Sequence, residues 1–472
     1  MANNPTASSR AWRISVRVLA VFAIIYLCTW AGHYTTGDGG RKIAWAKAMF
    51  LPQDAIEGEP LENGAYSKYG IGHSLVAAPP LIAAYYIRKA TGIHAEAALY
   101  TLIFVANGAL FLALMAFYLA YFYPDRWVWA TVFIAGLGTI WWPYTKLDFS
   151  EPLVLTAAFL GFVLMRFGRP VIGMLIAGFT LAIRLDSIVI VICLILWYIF
   201  QKPTVRAAVL AGLSLAPSLV LVAFANYVRY HSLVDRGYGG EGFTNPLLVG
   251  LYGNLFSAGK SVFLFSPPLL LGLAGWWKFM RSPETRRDAW LFLGIFVGQL
   301  LLFAKWWDWS SDDAWGVRFM IPGVMLMCIP IITLLDRSDR KVIASVVVAA
   351  GVLVQLLVVP VGGLDYLLLV HQQDFERQAL FVGGRERIDF EDIRFDPRYS
   401  QLMGNWILLR QLLHLNPAQG RNHDARLIGT SLYDAIPPEA WANAARWDFI
   451  WNVRARPVTS GANPKVAPAP AH

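Results

Sequence analysis

Apolar residues in this chain are gathered into long blocks, which short polar stretches separate. The blocks lie at residues 14–32, 74–87, 95–122, 128–143, 152–165, 170–200, 207–226, 264–277, 289–304, 319–335 and 342–361. A helix at the surface of a soluble protein alternates apolar and polar positions, whereas a membrane-spanning helix needs about 20 mostly apolar residues. The pattern therefore predicts an all-α polytopic membrane protein.

Composition agrees with this interpretation. Of the 472 residues, 57% are hydrophobic and 15% are charged, and the mean hydropathy is +0.48. Soluble domains are about 45–50% apolar and about 25% charged. The net charge of +9 comes from short loops between the blocks, so we expect it to orient the chain in a membrane rather than to bind nucleic acid. Block 14–32 lacks a clear small-x-small cleavage site and is expected to be a retained first helix.

The three cysteines, Cys28, Cys193 and Cys328, all lie inside apolar blocks. This placement predicts neither a disulfide framework nor a thiolate metal site.

Basic residues between the blocks predict the topology. They cluster at Arg10/Arg13/Arg17, Arg126, Arg166/Arg169, Lys202/Arg206, Lys278/Arg281/Arg286/Arg287 and Arg337/Arg340/Lys341. If every cluster is cytoplasmic, an even number of spans separates each neighbouring pair. Block 170–200 has a cluster at both ends, so we expect a hairpin with Arg184 and Asp186 at its extracytoplasmic turn. The alternative is a single tilted helix with both charges near the middle of the membrane.

The same rule applies to block 74–87, which is short and contains Pro79-Pro80. If this block crossed the membrane, every later basic cluster would face outward, so we expect an in-plane helix on the outer surface. The prediction is then about eleven transmembrane helices, with the N-terminus cytoplasmic and the C-terminus extracytoplasmic. We divide the chain into a transmembrane module (1–363), a small extracytoplasmic region (364–458) and a disordered Pro/Ala-rich tail (459–472).

Polar and aromatic residues collect in the loops of the predicted outer face. The segments are TTGDGGRKIAWAKAMF (35–50), NGAYSKYGIGHS (63–74), TKLDFSEPL (145–153), GLYGNLFSAGKSVFLFSPP (250–268) and WSSDDAWGVRFMIP (309–322), together with the turn at Arg184. Each has an alternative explanation: a carboxylate can cap a helix, and Trp residues can form an interfacial belt. Their concentration on one face favours a binding site.

A lipid phosphate carrying a sugar fits this mixture of residue types. Arg and Lys would neutralise the phosphate, and a carboxylate would take the proton of an acceptor hydroxyl. Aromatic faces would stack on sugar rings. No metal is required, because cationic side chains supply the charge, although Asp38 and Asp148 could together hold a divalent ion.

These segments resemble the GT-C superfamily of membrane glycosyltransferases, which contains protein O-mannosyltransferases, the lipid A aminoarabinose transferase and mycobacterial arabinofuranosyltransferases. Over residues 12–335 the chain is similar to bacterial members that use polyprenyl-phosphate sugars, through YSKYGIGHSL (66–75), the 250–268 segment and WSSDDAWGVRFMIP. The resemblance implies a GT-C-like bundle. It also implies transfer of a pentose or hexose to a glycan, lipid or protein hydroxyl at the outer face of a bacterial inner membrane.

Roles for individual residues follow from this resemblance. Asp38 corresponds to the general base, although many members have an Asp-Glu pair where this chain has Asp38-Gly39. Asp148 corresponds to the second acid, with Glu151 as its alternative. Arg184 corresponds to a lipid-phosphate ligand, with Lys260 and Arg318 as its companions at one phosphate. From the composition of the outer-face loops alone, we also expect Arg41 and Lys68 as lipid-phosphate ligands, and Tyr69, His73, Trp307, Asp308 and Asp313 as sugar or acceptor ligands.

The sequence is also compatible with two functions other than glycosyl transfer. A transporter or flippase for lipid-linked intermediates would show internal repeats and polar groups in mid-membrane, and we find no clear repeat. A non-enzymatic assembly protein for envelope polymers would use the C-terminal region to bind its partners.

Overall fold

A computed structural model describes residues 5–55, 67–201, 204–235, 237–239, 241–311, 314–336, 341–370, 390–413, 441 and 444–451, and their regular structure is entirely helical. The α-helices are α1 (Pro5–Cys28), α2 (Gly37–Phe50), α3 (Ile71–Thr91), α4 (Glu96–Ala120), α5 (Asp125–Leu137), α6 (Glu151–Arg166), α7 (Pro170–Ile183), α8 (Ile188–Gln201), α9 (Val205–Tyr230), α10 (Leu247–Phe256), α11 (Val262–Phe265), α12 (Leu269–Arg281), α13 (Arg286–Lys305), α14 (Ile321–Cys328), α15 (Lys341–Leu356), α16 (Phe390–Phe395) and α17 (Gln401–Leu412). Short 3-10 segments lie at Gln53–Ala55, Pro143–Thr145, Leu185–Ser187, Arg318–Met320, Ile329–Thr333 and Pro397–Tyr399.

Four helices within the described ranges are long and apolar enough to cross a membrane, namely α1, α4, α9 and α13. Shorter apolar helices include α7, α8, α10 and α15. Several such helices in one chain indicate a multi-pass membrane protein. The count of about eleven spans stays a prediction, as does the side on which each terminus lies.

Block 170–200 folds as the predicted pair of helices. The helical conformation is interrupted at Arg184, between α7 and α8. The guanidinium of Arg184 contacts Glu151 at the start of α6. The indole of Trp197 in α8 donates to Asp288, which also accepts from Arg166 at the end of α6. Both far ends of the pair therefore lie beside the end of α6 that is opposite Arg184, and the hairpin is confirmed.

Helix α3 does not run the length of the bundle. Its first turn lies at the start of α4, where His73 hydrogen-bonds to Tyr100. Its last residue, Thr91, precedes α4 by only a short linker, and Glu96 begins that helix. The helix therefore starts and ends at the same end of α4, which agrees with the prediction that this segment does not span.

Close backbone approach fixes the helix pair α6 and α7. A Cβ added to Gly161 would lie 2.6 Å from the carbonyl oxygen of Gly173, and one added to Gly173 would lie 2.5 Å from that of Gly161. Small residues at such crossings allow the dispersion contacts that hold helices together in a lipid environment. This packing sets the distance between the start of α6 and the end of α7, where Glu151 and Arg184 meet.

The described part of the C-terminal region packs against the loops at the Glu151 end of α6. The backbone N–H of Gly259 donates to the carbonyl of Arg394, and the side-chain amide of Gln401 lies between the backbones of Ala314 and Gly316. A separate apolar cluster holds this region together and includes Tyr366. Residues 459–472, predicted to be a disordered tail, lie outside the described ranges.

Candidate functional site

Asp38 lies in the first turn of α2. Thr36 caps that helix by accepting from the N–H of Gly39, which holds the turn in place. The carboxylate of Asp38 accepts a hydrogen bond from the hydroxyl of Tyr69, and its Oδ2 lies 3.5 Å from Nη1 of Arg318. The side chain of Asp38 is 26% exposed, so it remains open to a ligand.

Cations surround Asp38 and set its charge. Burial raises the pKa of this carboxyl, but the charges of Arg318 and Lys42, the Tyr69 hydrogen bond and the charge of Arg184 outweigh that effect. Together they lower the pKa from 3.8 to about 2. Asp38 is therefore ionised at neutral pH.

Arg184 and Arg318 meet at one carboxylate. Nη1 of Arg184 lies 2.8 Å from Oε1 of Glu151, and Nε of Arg318 lies 3.5 Å from the same oxygen. Both guanidinium carbons also lie 5.1 Å from the ring centroid of Phe319. Asp186 forms a second ion pair with Arg184 at 2.8 Å. Two of the expected lipid-phosphate ligands, Arg184 and Arg318, are thus brought together.

A small cavity lies beside Arg184. Its wall includes Glu151, Arg184, Asp186, Ser187, Gln299 and Phe319. Oε2 of Glu151 and Oγ of Ser187 are buried and have no hydrogen-bond partner among the described residues. Buried polar atoms are usually satisfied, so the wall has the capacity to bind a polar group or water.

Asp148 lies beside Asp38 but in a different environment. Its Oδ1 accepts from the hydroxyl of Thr35 at 2.6 Å, and the side chain is fully buried. Oδ2 has no hydrogen-bond partner in the described part of the chain. Burial raises the pKa of Asp148 above its ordinary value, although the Thr35 and Thr36 hydroxyls and the charge of Lys42 oppose this. Neighbouring carboxylates whose pKa values are pushed apart are suited to different roles in proton transfer.

The position after Asp38 has no room for a side chain. A Cβ at Gly39 would lie 1.7 Å from Oδ2 of Asp148. A second acid at position 39, as in the Asp-Glu pair of the superfamily that the sequence resembles, would displace the carboxylate of Asp148 or the first turn of α2.

Lys42 was not among the predicted site residues, yet it lies in the site. It follows Asp38 by about one turn of α2 and is 2% exposed, with its ammonium 4.8 Å from the ring centroid of Tyr69. Burial lowers its pKa, while the charges of Asp38, Glu151 and Asp148 oppose that shift. Arg41, the predicted ligand, is exposed on α2. Helical spacing from Asp38 is the sequence signal that would have singled out Lys42.

Tyr69 and Lys68 lie at the rim of the site. Arg229 of α9 holds their segment by donating to the carbonyls of Ser67 and Tyr69 at 2.6 and 2.9 Å, a role for which the sequence gives no signal. Lys68 forms an ion pair with Glu241 rather than contacting Asp38 directly.

The remaining predicted ligands lie elsewhere. Lys260 is fully buried and donates to the carbonyls of Ala314 and Gly316, so it supports the loop before Arg318 instead of joining the two arginines. His73 is 1% exposed and bonds to Ser150 and Tyr100 beneath the site. Trp307 is 46% exposed, and Asp308 accepts from the hydroxyl of Ser310. Asp313 lies outside the described residues.

No group of three or more His, Cys, Asp or Glu side chains within the described ranges is arranged to hold a metal ion. Asp38 and Asp148 supply two carboxylates, and the largest effects of neighbouring charges on Asp38 come from the cations Arg318 and Lys42. This arrangement favours an anionic ligand.

Among known proteins, a solved structure is similar to this chain. No family model matches the chain, and no curated protein matches it. The crystal structure of ArnT from Cupriavidus metallidurans in the apo state is similar over 91% of this chain and 74% of that chain. The sequence identity is 13% and the TM-score is 0.49. A likeness at this level assigns no function to the chain.

Proposed function

We propose that this protein is a GT-C-type glycosyltransferase that moves a sugar from a polyprenyl-phosphate donor to an acceptor hydroxyl at the extracytoplasmic face of the inner membrane. The observation that carries the proposal is the position of the Asp38 carboxylate beside the paired guanidinium groups of Arg318 and Arg184. A proton acceptor next to a cationic phosphate site is what such a transfer needs.

In this mechanism Asp38 takes the proton of the acceptor hydroxyl as the acceptor oxygen attacks the anomeric carbon of the donor. The bond between that carbon and the phosphate oxygen breaks, and the electron pair leaves with the polyprenyl phosphate. Attack opposite the leaving group inverts the anomeric configuration. Arg184 and Arg318 stabilise the charge that builds on the departing phosphate.

Donor binding also strengthens the base. A carboxylate with a pKa of about 2 is a weak proton acceptor, and the charge of Arg318 is a main reason for that low value. A phosphate that engages Arg318 offsets this charge, so the pKa of Asp38 rises when the donor is bound. Asp148, whose pKa is raised by burial, is the alternative base.

The test uses the purified full-length chain in lipid vesicles. A panel of undecaprenyl- and decaprenyl-phosphate sugars with labelled pentose or hexose head groups is supplied as donor, with an envelope extract as the source of acceptors. We expect one donor to lose its label to an acceptor and to release polyprenyl phosphate, with or without a chelator present. Movement of labelled donor across the bilayer without that release would contradict the proposal and favour a flippase.

A matched variant separates chemistry from binding. Asp38→Asn keeps the size of the side chain and removes the proton acceptor. Loss of transfer in this variant, with donor binding retained, supports the assignment. A chain that neither transfers nor moves any donor of the panel would favour a non-enzymatic role.

A further inference from the structure

One buried carboxylate near the C-terminal end of the described chain lies directly behind the candidate site. Oδ2 of Asp448 lies 2.9 Å from the ammonium of Lys146, and Oδ1 lies 2.7 Å from Nε2 of His33. Asp448 is 5% exposed and Lys146 is 2% exposed. The proposed reaction assigns no role to any of these three residues.

Backbone hydrogen bonds lock the carboxylate in place. The N–H of Asp448 donates to the carbonyl of Pro360 at 2.8 Å. The Lys146 ammonium also donates to the carbonyls of Val359 and Asp448, at 2.8 and 2.6 Å. Burial raises the pKa of Asp448, but the charge of Lys146 and the hydrogen bond and charge of His33 outweigh it and hold the pKa well below its ordinary value. Asp448 is therefore an anion that neutralises a buried cation.

The residues that follow bind the end of α1. The N–H of Ile450 donates to the carbonyl of Trp30 at 2.8 Å, and the indole of Trp451 donates to the carbonyl of Cys28 at 2.7 Å. A Cβ at Gly32 would lie 2.5 Å from Cδ1 of Ile450, so the two segments pack without a gap. We call residues 448–451 the C-terminal latch.

The latch connects the two segments that carry the candidate acids. His33 is two positions before Thr35, and Lys146 is two positions before Asp148. The side chains of Thr35 and Asp148 bond directly to each other at 2.6 Å, and Asp38 follows in the first turn of α2. Asp448 thus contacts each segment two residues before the residue through which the segments bond to each other.

We propose that Asp448 is a positioning residue: it holds the segment that leads to Asp38 and the segment that carries Asp148 in register by binding His33 and Lys146 together. The consequence for catalysis rests on the proposed function, but the positional claim does not. Small displacements of catalytic groups are costly for rate, so a fixed register between the two segments matters for the reaction.

The test measures the register without any substrate. In a background in which Cys28, Cys193 and Cys328 are replaced by Ser or Ala, Thr35→Cys and Asp148→Cys introduce two thiols at positions in direct contact. The rate of disulfide formation under a mild oxidant is followed by counting free thiols with a maleimide reagent. We expect rapid pairing in this parent and, after Asp448→Asn is added, pairing at least about tenfold slower.

The matched control is Asp288→Asn. Asp288 is equally buried at 1% exposure and pairs with Arg166 at the far end of α6, so its loss disturbs folding without touching the latch. We expect the pairing rate of this variant to equal that of the parent. Equal slowing in both variants, or no slowing in Asp448→Asn, would overturn the proposal.

A second variant keeps the test decisive if Asp448→Asn does not fold. Asp448→Asn removes a carboxylate that contacts the buried Lys146 ammonium, which is destabilising. The double variant Asp448→Asn, Lys146→Met removes both charges of this buried pair and still lacks the link between the two segments. We expect slow pairing in it as well, and rapid pairing there would equally refute the proposal.

An activity measurement then separates this inference from the proposed function. With a labelled donor that the parent uses, Asp448→Asn should lower kcat while KM for the donor stays the same. A purely structural role would lower the folded fraction but not the turnover of each folded molecule. If pairing responds as expected while the parent transfers no sugar, the positional claim stands and the proposed function fails.

Discussion

The carboxylate of Asp148 lies directly against the α-carbon of Gly39, where an added Cβ would come within 1.7 Å of Oδ2. Gly39→Ala therefore forces Asp148 or the first turn of α2 to move. We expect a clear loss of transfer activity in this variant. The activity of detergent-purified protein, normalised to the folded fraction, checks the effect.

Gly40 provides the control for that substitution. It is the next residue of the same helix, it is exposed, and an added Cβ would meet nothing within 4 Å. Gly40→Ala should leave activity unchanged and stabilise α2 by at most about 1 kcal/mol through helix propensity. Equal effects at the two positions would show that the contact with Asp148 is not the cause.

Asp38→Asn is the direct test of the general base. Because the amide cannot take the proton of the acceptor hydroxyl, turnover should fall by about 10²–10⁴-fold, while expression and donor binding are retained. Single-turnover transfer and donor binding are measured on the same preparation. Near-normal turnover would move the base to Asp148 or Glu151, and Asp148→Asn made in parallel would show which acid is used.

The pH dependence distinguishes the two acids as well. Because Asp38 has its pKa lowered to about 2, it stays ionised in the free enzyme until the pH approaches that value, so kcat/KM should show no acidic limb between about pH 5 and 8. A base whose pKa is raised, as for Asp148, would place that limb at higher pH. The lowered pKa of Asp38 also contributes stability above pH 3.8 that is lost as the pH falls towards 2.

Lys42→Met should raise the pKa of Asp38, since it removes one of the charges that lower it. The acidic limb of kcat/KM, which lies below about pH 5 in the parent, should then begin at a higher pH when the profile is extended into that acidic range, while Arg41→Met on the exposed face of α2 should move it less. A profile that responds to Arg41 but not to Lys42 would contradict the placement of Lys42 in the site.

Loss of a guanidinium should weaken donor binding. Arg184→Ala removes a charged hydrogen-bond donor, so KM for the lipid donor should rise by the equivalent of about 1.5–3 kcal/mol. Lys260→Met is the comparison, because Lys260 supports the loop before Arg318 through backbone carbonyls. A larger change in KM from Lys260→Met than from Arg184→Ala would show that the phosphate site is assigned to the wrong cation.

Accessibility to an impermeant thiol reagent tests the topology. Val234 follows α9 at the end where Arg229 holds Tyr69, and it is 81% exposed. Asp125 begins α5, and its side chain is 55% exposed where it pairs with Arg10. In a cysteine-free background, Val234→Cys should be labelled from outside intact cells, and Asp125→Cys only after the membrane is opened. The reverse pattern would place the candidate site in the cytoplasm.

The apolar blocks and the charges between them were sufficient to predict an all-helical membrane protein and the break at Arg184, while the in-plane position of the Pro79-Pro80 segment stays a prediction. These features can be read from the sequence because a bilayer imposes a minimum length on each apolar helix. The basic loops also indicate whether an even or an odd number of spans lies between them. The sequence also placed Asp38, Asp148, Glu151, Arg184 and Arg318 among the candidate site residues.

Which of these residues contact one another was decided only by tertiary packing. Arg184 reaches Glu151 because α6 and α7 pack closely at Gly161 and Gly173, and Arg318 reaches the same carboxylate from the 3-10 segment before α14. Lys260 does not join them, because its ammonium donates to buried carbonyls. The inward direction of Lys42 and the space that Asp148 takes at Gly39 likewise depend on how α2 docks. The link from Asp448 to His33 and Lys146 joins residues hundreds of positions apart. A buried charge needs an opposite charge nearby, and the tertiary fold, not the local sequence, decides which residue supplies it.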